Sequence, residues 1–176
     1  MGETGIKLRA YQTPRDLIRF PRGDAELGAA VFSLVEKALE KGMPRPALFV
    51  FFDDQVDRFD LGPLMRRPRA VRDRMIAAIA GQREVECVAL LGVLQVKRPR
   101  TDRVARGAVT FIEWPDNRWW TSWLPLTPDG TPVREAIEVR SAVEGFPRPG
   151  GVGGWFSMAR RTGIRLHVAQ REGTVH

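Results

Sequence analysis

The residues nearest to a reactive constellation are the carboxylates of Asp53-Asp54-Gln55-Val56-Asp57, three acids within five positions. Clustered hard oxygens are what a divalent cation requires. As a diphosphate-binding pair, however, Asp53 and Asp54 need a long helix, and here they follow the apolar run Ala47 to Phe52. A nuclease or phosphotransferase arrangement sets Asp53 or Asp54 at one strand end and Gln95-x-Lys97 at another, with lysine stabilising developing charge. The acid expected at position 95 is a glutamine. Asp53, Asp54 and Asp57 are therefore the nearest approach to metal ligands, and no metal or other cofactor is assigned.

Other reactive groups are sparse. Gly150, Gly151, Gly153 and Gly154 precede a segment carrying Arg160 and Arg161, so backbone N–H groups there suit an anion. Trp155 and Phe156 stand where a phosphate loop needs lysine and hydroxyl residues or a third glycine. His167 and His176 are the two histidines, and neither Ser157 nor Cys87 has a nucleophile's setting. No catalytic residue is assigned.

Charge and aromatic patterning say more. Lysine and arginine number 28 against 21 acids, a formal charge of +7, and only Lys7, Lys37, Lys41 and Lys97 are lysine. Arginine suits bidentate contact with carboxylate or phosphate. One cluster, Arg66, Arg67, Arg69, Arg72 and Arg74, surrounds a helix start, where the macrodipole disfavours cations. The aspartates at 53 to 60 are its expected internal partners. A second cluster, Lys97, Arg98, Arg100, Arg103 and Arg106, has only Asp102 within it and is the more available one. Four tryptophans, Trp114, Trp119, Trp120 and Trp123, fall within ten residues. With Asp116 and Asn117 as a two-residue turn, Trp114 lies opposite Trp119, beside Ile112, Thr110 and Trp123, while Phe111, Trp120 and Leu124 share the other face.

The elements that must position these groups follow from spacing. Apolar residues at helical intervals from Leu27 to Leu39 mark a helix from Asp24 to Gly42. Val71, Met75, Ile76 and Ile79 mark another from Pro68 to Gly81. Strands are expected at Ala47 to Phe52, Glu84 to Val96 with a bulge at Gly92, Gly107 to Trp114, Trp119 to Leu126, Val133 to Arg140 and Ile164 to Val168. Lys97 to Arg106 is read as a basic loop. This order predicts an α+β fold, an antiparallel sheet of about five to six strands with two main helices on one face.

A chain of 176 residues is expected to be a single domain, 1–176, with 1–22 as a docking arm and 145–163 as a Gly/Pro-rich loop plus short helix. No apolar run approaches the ~18 residues of a membrane span, and the lone Cys87 fits a reducing, cytoplasmic setting. The expected function is a non-catalytic interaction protein, a subunit of a larger assembly and in one version a phage or mobile-element structural protein, with other protein subunits or an acidic surface as partner. Nucleic-acid binding is the alternative, and a metal-dependent nuclease or phosphotransferase the third. Lys97, Arg98, Arg100, Arg103, Arg106, Trp119 and Trp120 are the expected contact residues.

Overall fold

The computed structural model describes residues 10–14, 37–42, 45–52, 55–82, 84–97, 104–142 and 152–163. The apolar run after Pro46 forms β2 (Ala47–Phe51), flanked on both sides by antiparallel strands. Its residues are apolar throughout because both faces of a central strand are covered. The sheet also contains β1 (Ala10–Pro14), β3 (Gln55–Asp60), β4 (Cys87–Lys97), β5 (Val104–Glu113), β6 (Trp119–Leu126) and β7 (Glu138–Ser141). Their order is β1-β3-β2-β4-β5-β6-β7, and every pairing is antiparallel. The α+β antiparallel class is therefore the one observed, with seven strands where five to six were expected.

The two additional strands are β1, inside the stretch expected to be an arm, and β3, which carries part of the aspartate series. Around the sheet lie α1 (Gly62–Met65), α2 (Arg69–Ala80) and α3 (Trp155–Thr162). Pro68 precedes α2 and fixes its entry, and the Gly81 N–H donates to the Ala77 carbonyl at its end. Residues 37–40 are helical and stop before Gly42, whose φ of +103° suits glycine. The remainder of the helix expected from Asp24 and the strand expected at Ile164 to Val168 lie outside the described residues. None of the described helices is long and apolar enough to cross a membrane.

Alternation along the strands sends side chains to two cores. One face carries Leu48, Val50, Val88, Phe111 and Trp119 against Ile76, Ala77, Ile79 and Ala80 of α2 and Trp155, Phe156 and Ala159 of α3. The opposite face carries Phe51, Val56, Cys87, Ile112, Trp120 and Leu124, with Ala38 and Leu39 packed on it. Alanines on the inner side of α2 let the helix backbone approach the sheet closely. Val71, expected on the inner stripe, is 38% exposed.

Three local expectations change. Gly92 sits in unbroken register opposite Val109, so β4 has no bulge there. Only the end of the segment expected as a strand at 133–140 is one, β7 following a 3-10 turn at Arg134–Ala136. The β5–β6 register pairs Glu113 with Trp119 and Ile112 with Trp120, one position from the expected Trp114 with Trp119. Pro115 and Asp116 are the central turn residues, Asn117 N–H donates to the Trp114 carbonyl, and Asn117 adopts a left-handed φ of +68°. That is a type I turn with an added left-handed residue, a common three-residue hairpin loop. Slight burial raises the Asp116 pKa, but hydrogen bonds and charge from Arg118 outweigh it and hold the carboxyl below its ordinary range.

Candidate interaction surface

The most prominent device is the β4–β5 hairpin, which outruns its neighbours. β4 pairs with β2 only from Cys87 to Leu91, whereas it pairs with β5 from Val88 to Lys97. The next β2 position would be Pro46, which has no N–H to donate and lies against Gly92. On the far side β5 meets β6 only from Arg106 onward. The pairs Val96 with Ala105 and Lys97 with Val104 thus stand as a two-stranded ribbon among the described residues.

Lys97, on this ribbon, and Arg106, at its base where β6 joins, are strand residues, not loop residues as the sequence suggested. Arg98, Arg100 and Arg103, expected as contacts between them, lie outside the described residues. Leu94, Val96 and Val104 on the ribbon are 39%, 44% and 60% exposed, making it the most apolar exposed strand surface described.

Beside the ribbon, on the face that bears α2 and α3, the sheet is open among the described residues. A cavity of about 450 Å³ is floored by Leu94, Val96, Val109 and Trp123 and reaches Glu138 and Arg140. It runs into a second, of about 230 Å³, walled by Met65, Arg69 and Arg72, with Leu94, Val109 and Val152 lining both. Trp123 lies close over Gly107: a Cβ there would come within 2.5 Å of the indole. The floor is thus shaped by a glycine that lets a large ring lie against the strand.

The described aspartates of the series, Asp57 and Asp60, do not neutralise the arginines at the start of α2: three apart on a strand, they point to opposite faces, Asp57 being 6% exposed and Asp60 accepting from the Gly62 N–H at 2.9 Å. The described ion pair of this cluster is local, Arg69 with Asp73 at 3.4 Å. Arg66, Arg67, Arg72 and Arg74 have no ion pair among the described residues, which leaves a basic patch there. Asp53 and Asp54, the other expected partners, lie outside the described residues.

Trp119 and Trp120, expected as contact residues, are 5% and 2% exposed and belong to the two cores. Trp119 stacks on Phe111 at 6.3 Å between centroids, and Phe111 meets Trp155 edge-on at 5.5 Å. As placed, neither Trp119 nor Trp120 is a surface ring. Trp123, half-buried in the trough, and Trp114, half-buried with Arg118 over its ring, are the tryptophans of the four that a partner can touch.

The glycine-rich segment has an anion already, supplied from within. Glu113, fully buried, accepts from the Gly154 N–H at 2.7 Å and from the Trp155 N–H at 3.3 Å, so a strand carboxylate occupies the N-terminus of α3. The Trp155 indole donates to Asp73 at 3.3 Å, tying α3 to α2. At the other end Arg160 donates to the Pro115 carbonyl at 2.7 Å and to Asn117 Oδ1 at 3.0 Å. The helix expected at Trp155 to Arg161 is thus clamped at both ends.

Asp53 and Asp54, the nearest approach to metal ligands in the sequence, lie outside the described residues. Among the described residues no three His, Cys, Asp or Glu side chains gather as metal ligands. The chain matches no known family model, no curated protein and no solved structure.

Proposed function

We propose that the protein is a non-catalytic interaction protein, a subunit of a larger homo- or hetero-assembly, that meets an acidic partner through the β4–β5 ribbon and the arginines beside its base. The observation that carries this reading is the overrun of β4 and β5 past their neighbours. A two-stranded ribbon is marginal in water by itself, and exposed apolar strand residues invite association. Leu94, Val96 and Val104 gain cover only from outside this ribbon, and the intervening sequence Arg98-Pro-Arg-Thr-Asp-Arg103 adds positive charge. The cytoplasm is the compartment this reading assumes, in keeping with the single, buried Cys87.

Nucleic acid is the second reading, favoured by one specific geometry: the major groove of B-DNA admits a two-stranded ribbon. Both are tested together by native mass and by titration with polyglutamate and with duplex DNA. A mass above 19.8 kDa at low salt, or saturable polyglutamate binding, is expected. Changing Arg98, Arg100 and Arg103 to Ala should weaken polyanion binding, and on DNA should lower the log-log salt slope by ~0.9 per lost phosphate contact. A monomer that binds neither polymer at low salt overturns both readings. DNA binding without polyglutamate binding selects the second.

A further inference from the structure

The helix layer on the sheet stops short of the ribbon, and what it leaves uncovered has a definite shape and sign. α2 and α3 cover Phe111 and Trp119 but not Leu94, Val96, Val109 or Trp123, which floor the trough. Ala105 and Phe111 are six residue steps apart along β5, about 20 Å, matching roughly thirteen residues of α-helix. One wall is net basic: Arg69 and Asp73 pair with each other on it, Arg72 lines it without an ion pair among the described residues, and Arg66 and Arg67 stand on the turn leading into α2. The opposite rim is neutral in sum, because Glu138 and Arg140 pair with each other at 3.5 Å.

We propose that this trough is the docking groove for an acidic amphipathic helix of a partner protein, an inference that rests on the assembly reading above. The helix lays its i, i+3, i+4, i+7 apolar stripe on Leu94, Val96, Val109 and Trp123 and turns its carboxylates toward Arg72. The one-sided charge of the walls fixes which way the acidic face points. A second copy of this chain is the poorer occupant, since each carries +7 and would bring like charge to a basic wall. Nucleic acid fits worse still, because phosphates gain nothing from an apolar floor.

The test uses the full chain and a fluorescent, hydrocarbon-stapled helical peptide bearing leucine at those spacings and glutamate elsewhere. Saturable binding is expected. The doubly substituted Leu94→Glu, Val96→Glu protein should bind at least about tenfold more weakly, as should a peptide with lysine for glutamate, and Arg72→Glu at least about threefold. The two apolar positions are already exposed; should the double variant unfold, Arg72→Glu alone decides. The Arg98, Arg100, Arg103 triple alanine variant should change peptide affinity less than about twofold. No binding up to about 1 mM, binding indifferent to Arg72→Glu, or equal binding of the lysine peptide overturns the groove. Any of these results beside intact polyglutamate binding or a mass above that of one chain refutes the trough and leaves the assembly reading standing, whereas failure of both probes by a monomer refutes both.

Discussion

A carboxylate without solvent exposure is costly unless donors meet it, and Glu113 meets two backbone donors only because the chain arrives through two left-handed glycines. Gly153 has φ of +86°, and a Cβ there would lie 2.5 Å from the Phe111 ring and 2.9 Å from the Glu113 carboxylate. Gly153→Ala should therefore cost ~2 to 4 kcal/mol, combining backbone strain with overpacking, read as a lowered urea midpoint. An unchanged midpoint would show that α3 is not held by this approach. Sequence alone shows N–H groups suited to an anion but without the pattern of a phosphate loop, and that β5 supplies the anion is not legible there, because 41 positions separate Glu113 from Gly154. Trp119 and Trp120 illustrate the same gap: spacing shows that adjacent rings face opposite ways, while their burial depends on layers contributed by distant segments.

Elements were most legible where one local signal sufficed. Pro68 and Gly81 bracket α2, and the apolar run after Pro46 marks β2. The β5–β6 register was missed by one residue, although Pro115 carried the needed information: its fixed φ suits the first central position of a type I turn. A type I turn then needs a left-handed residue to restore the strand twist, which Asn117 provides. Asn117→Val should cost ~2 kcal/mol by forcing a branched residue into that conformation. Asn117→Gly should cost less than about 1 kcal/mol, the hydrogen bond from Arg160 being its main loss. Equal denaturation midpoints for the two variants would argue against the described loop. Charge dominates the ribbon's sequence and suggests a loop, yet the unbroken pairing of Leu94 with Gly107, Gln95 with Arg106 and Val96 with Ala105 makes it sheet.

At the scale of the whole molecule, the strand order places β4, β5, β6 and β7 beside one another in the order in which the chain reaches them. That arrangement bears on how the protein folds. Closing a short hairpin loop costs little chain entropy compared with joining distant segments, so the β4–β5–β6 meander is the natural place for the transition state to condense. Ile112→Val, in the middle of β5 and 1% exposed, should cost ~0.5 to 1.5 kcal/mol and should act chiefly by slowing folding, with φ of about 0.5 or higher. Contacts of α3 with β5 and α2 span far more sequence and should form afterwards, so Trp155→Phe should leave the folding rate nearly unchanged and speed unfolding. Stopped-flow chevrons distinguish the two limbs, and the opposite pattern would mean that α3 docks before the meander is complete. The clamp on α3 then sets the lifetime of the native state more than the speed of its formation.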